Sequence, residues 1–357
     1  MRAFKWSVLT IAALGLVALA GAPSPKQPAG NEADQAIKKG LQWLVSVQGA
    51  DGGWGQDGGE TSYVRQGERL ESTGNDVANT AVSVLALLHN GHSPDRGTYA
   101  ASSRRGIEFI LKNIEASPED GLAVTSVTGS QIQRKLGPYI DTFLSSMLLS
   151  ELDTTLRDAA LGKRVRLGVE KCVRKIENNQ LKDGSWNISG GWAPILGTSM
   201  ASRSLDQARQ KGVKVDEKVM AKVDQYTGIT AGAVSLEASP VPLYSSAQKL
   251  EQLSRTAKDR EKNEKKINAI TGQLRDARFV SGFGSMGGEE FFSYLNISDS
   301  LRRTGGPEWN KWNGQIKTQT TRLQNEDGSW AGHHCITGRV AVTSAAILTL
   351  AADRAQP

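Results

Sequence analysis

Two of the four histidines in this 357-residue chain sit side by side with a cysteine, in Gly332-His333-His334-Cys335-Ile336-Thr337-Gly338, and Arg339 follows directly. Imidazole and thiolate are good ligands for a transition metal such as zinc, and a carboxylate completes the charge. A pair of carboxylates, Glu289-Glu290, lies upstream behind the glycine cluster Phe283-Gly284-Ser285-Met286-Gly287-Gly288. The same set suits acid–base work, because histidine titrates near neutral pH. Plainer readings stand beside both. Neighbouring residues on a helix or strand point in different directions, so at most one of His333 and His334 faces a given site, and a capping or hydrogen-bonded role is the simpler account of the pair. Acids in a first helical turn favour the helix dipole, and a free cysteine packs as a small apolar side chain. The glycine cluster has no Gly-Lys-Ser/Thr partner and is not a phosphate cradle.

Helices must position these residues. Segment 76–90 places Val77, Ala81, Val82, Leu85 and Leu88 at three- and four-residue steps, and 138–152 does the same with Ile140, Phe143, Leu144, Met147, Leu148 and Leu152. The periodicity predicts charged first helices near 35–48, 102–115, 162–178, 216–226, 258–278 and 308–325. Each is followed by a second helix richer in small and apolar residues, near 76–90, 138–152, 197–211, 241–257, 288–303 and 339–353. Six helical hairpins result, with the second members packed on both sides. Gly228, Gly232, Pro240 and Pro242 predict a loop over 227–243, and the charged run at 255–266 reads as a solvated helix face.

One short pattern ends three of the first helices: Gln48-x3-Gly52-x-Trp54, Gln180-x3-Gly184-x-Trp186 and Gln324-x3-Gly328-x-Trp330, with Asp51, Asp183 and Asp327 before the glycines. Four residue types at fixed offsets three times over mark a repeat protein. Asp-Gly supplies the turn and the positive φ, the tryptophan folds back as an apolar anchor, and the glutamine reaches free backbone groups at the helix end. These residues stitch repeats together and carry no catalysis.

With six hairpins and these turns, the chain resembles the terpenoid cyclase and protein prenyltransferase superfamily, with squalene-cyclase-type repeats at Lys39-Gly40 through Gln48 to Trp54 and at Asn325 to Trp330. The resemblance covers roughly residues 35–353 and implies an all-α fold, an α6/α6 toroid in which an inner barrel of helices lies inside an outer one. The Asp-x-Asp-Asp acid of squalene-hopene cyclases is absent, and aromatic residues make up only 6% of the chain, too few for a carbocation cavity. The prenyltransferase zinc site needs Asp-x-Cys; Cys172 has no nearby aspartate, although the stretch around His334 loosely resembles the one carrying that family's histidine. The Gly-Cys-Gly-Glu-Gln of thioester domains is absent as well. In a toroid the loops before the inner helices gather at one mouth. His333, His334, Cys335 and Arg339 are therefore expected to meet Glu289 and Glu290 there, joined by Tyr139 and Asp141 from the second hairpin and Tyr244 from the fourth.

Arg2 and Lys5, an apolar run from Trp6 to Ala20 and the small residues at Ala18-Leu19-Ala20 read as a secretory signal peptide over 1–20, with an uncleaved anchor as the alternative. Pro23, Pro25 and Pro28 make a linker over 21–34, and the toroid fills 35–353. No later segment is long and apolar enough to span a membrane. The net charge of +6 is not gathered into a basic block, which argues against nucleic acid. Two cysteines are too few for a disulfide scaffold, and whether Cys172 and Cys335 pair stays open. The expectation is an exported toroid that binds an apolar small molecule or a protein partner without polyene cyclisation. The alternative is a divergent isoprenoid-processing or metal-dependent enzyme, for which zinc on His334 and Cys335 is the candidate cofactor; no other is expected.

Overall fold

A computed structural model describes residues 29–56, 74–188, 194–232, 241–281 and 287–354. The expected signal peptide and the proline-rich start of the linker lie outside these residues. In chain order the helices are α1 (Ala29–Ser46), α2 (Val77–His89), α3 (Ala100–Ala116), α4 (Gln131–Leu136), α5 (Ile140–Leu152), α6 (Ala159–Asn178), α7 (Pro194–Gln210), α8 (Glu217–Gly232), α9 (Val241–Leu253), α10 (Ala257–Gln273), α11 (Ala277–Val280), α12 (Gly288–Thr304), α13 (Gly306–Arg322) and α14 (Arg339–Leu350). One two-stranded antiparallel pair, Trp54–Gly55 with Asn75–Asp76, precedes α2.

Helices α2, α5, α7, α9, α12 and α14 contact one another in that order, and α14 returns to α2, closing an inner ring. Helices α1, α3, α6, α8, α10 and α13 lie outside it, so the fold is the all-α double-barrel toroid. The inner helices are buried on nearly every face, which explains their small and apolar composition. The pairing differs from the expected hairpins. Inner helices α2, α5, α9 and α12 pack chiefly on the outer helix that follows them, while α1 packs on α14 more than on α2. The two chain ends thus join, and ring closure rather than chain order decides the partner.

The three repeat turns share one geometry. The indole Nε1 of Trp54, Trp186 and Trp330 donates to the carbonyl of Leu44, Ile176 and Thr320, at 2.7, 2.8 and 2.7 Å, at the end of its own outer helix. The tryptophan amide donates to Thr80, Thr198 or Thr343 Oγ1 of the inner helix. Each glutamine Nε2 bonds its own turn glycine and a carbonyl of the next outer helix: Ser102 for Gln48, Val219 for Gln180, Ala36 for Gln324. The last bond ties α13, the final outer helix, back to α1, the first. Gly52, Gly184 and Gly328 hold φ of +89°, +91° and +92°, and a Cβ there would lie 2.6, 2.4 and 2.8 Å from a carbonyl oxygen of that outer helix. Asp51, Asp183 and Asp327 each accept the amide two residues on. Between α3 and α6 no such turn exists, and ion pairs replace it: Arg164 with Glu108 and Glu115, and Lys171 with Glu119.

Several boundaries depart from the periodicity. Helix α1 begins at Ala29, inside the expected linker, and α8 continues through Gly228 to Gly232. Helix α9 opens with Val241-Pro242, where a proline near the helix start lacks no needed bond. Helix α4 was not expected; its signal is the capping box of Ser130 with Gln133. Both cysteines are free and buried, Cys172 in the outer helix α6. None of the described helices is long and apolar enough to cross a membrane.

Candidate metal centre

Glycine lets two loops meet at the start of α12. The Gly288 amide donates to the His334 carbonyl at 3.4 Å, and a Cβ on Gly288 or Gly332 would lie 2.2 or 2.0 Å from the Ile336 carbonyl oxygen. To follow this path Cys335 takes φ +59°, one of two non-glycine residues with positive φ among those described. A strained residue of this kind persists only where its surroundings hold it. The result brings Glu289, His334 and Cys335 together: one ligand atom from each lies within 4.8 Å of the others, and all three residues are buried.

The donor set fits a divalent ion. Glu289 Oε2 accepts the Ile336 amide at 3.3 Å, while Oε1 is buried with no hydrogen-bond partner. Two anionic ligands neutralise a divalent charge, and imidazole adds a third donor. A tetrahedral zinc with bonds of about 2.0–2.3 Å separates its ligands by roughly 3.5 Å, so the site closes on an ion by a shift of about an ångström. Burial and the neighbouring Glu289 push the Cys335 thiol up to about 12, and burial raises Glu289. A thiol held protonated beside a carboxylate is no activated nucleophile; a bound cation reverses both effects.

Tyr244, at the start of α9, faces this centre: burial first, then the charges of Glu289, Glu290 and Cys335, raise its phenol. Glu290 lies on the other side of Gly287, where a Cβ would sit 2.6 Å from His334 Nδ1 and 2.7 Å from Glu290 Oε2. The other expected members go elsewhere. His333 is exposed and lines a surface cleft with Phe291, Arg322 and Asn325. Arg339 is not in the mouth: it pairs with Asp327 at 2.8 Å and stacks on Trp43 at 5.1 Å, because the first turn of α14 points it at the outer repeat turn. Tyr139 is half-buried against the apolar core and also stays out of the set.

Asp141 joins a different carboxylate. It accepts the Ala78 amide at 3.0 Å and Gln133 Nε2 at 2.7 Å, while Asp76 accepts the Asn79 amide at 2.8 Å. Two carboxylates thus occupy successive amides of the first turn of α2. Burial raises Asp76 to about 6, and burial with the charge of Asp76 raises Asp141 to about 7. Asp76 was missed in the sequence, although Asp76-x-x-Asn79 before an apolar run is an N-cap signal.

At the opposite end of the inner barrel a second charged cluster is invisible to sequence spacing. His89 meets Glu151 at 2.8 Å, Arg203 of α7 pairs with Asp299 of α12, and Arg255 pairs with Glu251 at 3.0 Å. Since α9 stands between α7 and α12 in the ring, the Arg203–Asp299 pair reaches past one ring neighbour on the inner side of the barrel and buries two charges there.

The profile of the squalene-hopene cyclase C-terminal domain matches residues 15–129. The squalene–hopene cyclase of Bradyrhizobium diazoefficiens is 35% identical over 78 residues, which is 22% of this chain and 11% of that protein's length. Among solved structures, an inactive double Asp→Asn variant of the α-1,6-mannanase GH76A of Salegentibacter sp. HEL1_6, in complex with α-1,6-mannotriose, shares the fold with a TM-score of 0.59. That likeness spans 92% of this chain and 99% of the other at 8% identity. The first repeats are thus similar to the squalene-hopene cyclase C-terminal domain, and the chain as a whole has the α/α-toroid fold.

Proposed function

We propose that this toroid is an exported metal-dependent enzyme that holds a zinc-class ion on Glu289, His334 and Cys335 at the mouth of the inner barrel. The observation that carries the reading is the convergence of those three buried ligands within 4.8 Å, with Glu289 Oε1 unpartnered. Structural zinc sites are closed by four protein ligands, whereas three leave a position for water or substrate. A bound ion of this kind supplies Lewis-acid polarisation or an activated water. The chain's own residues do the rest: Gly287 and Gly288 hold the two loops in contact, and Tyr244 and Glu290 flank the centre where they can hold or move a proton. The chain lacks the Asp-x-Asp-Asp acid motif of polyene cyclisation. The mannanase likeness is one of fold alone, and this chain has no Asp-Asp pair to match the two aspartates replaced in that variant.

The test is metal analysis of the protein purified without chelator. One zinc per chain, lost in Cys335→Ser and His334→Ala but retained in His333→Ala, is the expected outcome. Metal-free wild type that fails to take up added zinc overturns the reading. It would return the toroid to the role of ligand-binding or protein-interaction module.

A further inference from the structure

Halfway along the inner barrel, polar side chains are buried with nothing to bond. Gln248 is 0% exposed, and neither its Oε1 nor its Nε2 has a hydrogen-bond partner; the same is true of both amide atoms of Gln252, one turn on. Asn296 Nδ2, Arg203 Nε, Ser199 Oγ and Ser145 Oγ are buried and unpartnered too. They come from α5, α7, α9 and α12, four successive members of the inner ring. A serine on a helix can turn to bond its own backbone, so the serines alone say little. A primary amide cannot: each of its two ends needs a partner, and leaving several such ends unmet in the interior takes a large share of the net stability of a marginal fold.

Helix register sets the two amides on one stripe of α9, and the other unmet groups gather about one bond between α7 and α12. Tyr244, Gln248 and Gln252 follow one another at four-residue steps along α9, each rising about 6 Å. At the top of that stripe Tyr244 faces Glu289 and Glu290 of α12. At its foot Arg255 reaches Ser202 of α7, and Glu251 acts on Arg203. Gln248 therefore lies on the lumen wall between the two. Across from it Asn296 Oδ1 accepts Arg203 Nη1 at 3.3 Å, a bond between helices that are not ring neighbours. The unpartnered Asn296 Nδ2 and Arg203 Nε flank that bond.

We propose that the toroid axis is a built hydration site: a sealed column of ordered water runs from below Tyr244 to the Arg203–Asp299 pair, hydrogen-bonded to Gln248, Gln252, Asn296 and Arg203. Water is the ligand these groups select, because amide, guanidinium and hydroxyl ends in one enclosed space offer both donors and acceptors, and a water satisfies two to four of them at once. An isoprenoid or other apolar chain in the same space would leave every one of them unmet. The column stands whether or not the mouth binds metal. It joins the mouth to the charged cluster through a path of mobile protons, where the superfamily resemblance led to the expectation of an apolar ligand.

Water ¹⁷O magnetic relaxation dispersion on the full exported chain counts long-lived internal waters. Several waters in the wild type, with fewer in Gln248→Leu and fewer again in Gln248→Leu/Gln252→Leu, is the expected result. A crystal structure at a resolution that orders water should place density within hydrogen-bond distance of both amides. Amides bonded directly to other side chains with no density between them, or density for a larger solute, overturns the proposal. If the leucine variants do not fold, the wild-type dispersion and density decide alone. Zinc content measured on the same samples reports on the mouth separately, so a dry lumen with bound metal, or a wet one without, tells the two readings apart.

Discussion

At Cys335 the backbone, the side chain and the neighbours all point one way. A cysteine at φ +59° is strained, its thiol is buried, and Glu289 sits beside it. Each is what the proposed cation would offset. Adding zinc to metal-stripped protein should raise the unfolding midpoint in the wild type, by about 2.7 kcal/mol of stability at a hundredfold excess over Kd, and leave Cys335→Ser unmoved; equal shifts in both would place the metal elsewhere. The Asp76–Asp141 pair predicts a pH effect. Both folded pKa values lie above the unfolded value of 3.8, at about 6 and about 7. Their contribution is therefore fully present below about pH 4 and lost as pH rises toward 7, because the folded state holds protons that the unfolded chain has released. Asp141→Asn keeps an acceptor for the Ala78 amide and removes the like charge. Denaturant unfolding at pH 4.5 and 7.5 should show this variant gaining about 2–4 kcal/mol on the wild type between the two. A constant difference across that range would mean the pair does not titrate in it.

The repeat turn works at the level of whole elements. One tryptophan ends its own helix, bonds an inner helix and lies under the next outer one, so Trp186→Ala or Trp330→Ala should lower stability by about 3–5 kcal/mol in chemical denaturation. An unchanged midpoint would refute the anchoring role. Gln324→Ala is the sharper probe, since its bond to the Ala36 carbonyl joins the last outer helix to the first. A loss of about 1–2 kcal/mol, with earlier hydrogen exchange in α1 than elsewhere, is expected. The turns themselves were readable in sequence because a helix stop is local chemistry: the residues that end the helix lie within seven positions of one another. The partner of each inner helix was not, because outer-then-inner order along the chain says nothing about which neighbour a closed ring selects. Helix α4 went unread for a different reason. Six residues are too few for periodicity, and only the capping box marked it.

For the molecule as a whole, the axis decides what the toroid can hold. Arg203→Met removes the direct partner of the buried Asp299, leaving it the charges of His89, Arg302 and Arg303, and should cost about 3–5 kcal/mol, whereas Arg203→Met with Asp299→Leu should recover most of it; thermal melts of both distinguish a buried pair from an incidental contact. Sequence alone determined the helical class, the alternation of six outer with six inner helices and the three stitched turns, because periodicity and helix stops are set by residues close in the chain. It also picked out His334, Cys335 and Glu289 as residues able to share a metal. Which of the candidates converge was decided only in three dimensions: His334 turns in while His333 turns out, Arg339 leaves for Asp327, and Asp141 finds Asp76, 65 positions before it. The buried cluster of Arg203, Asp299, His89 and Glu151 likewise belongs to tertiary structure. Its members come from helices far apart in the chain, and each reads singly as an ordinary polar residue on an amphipathic helix until ring closure brings them to one axis.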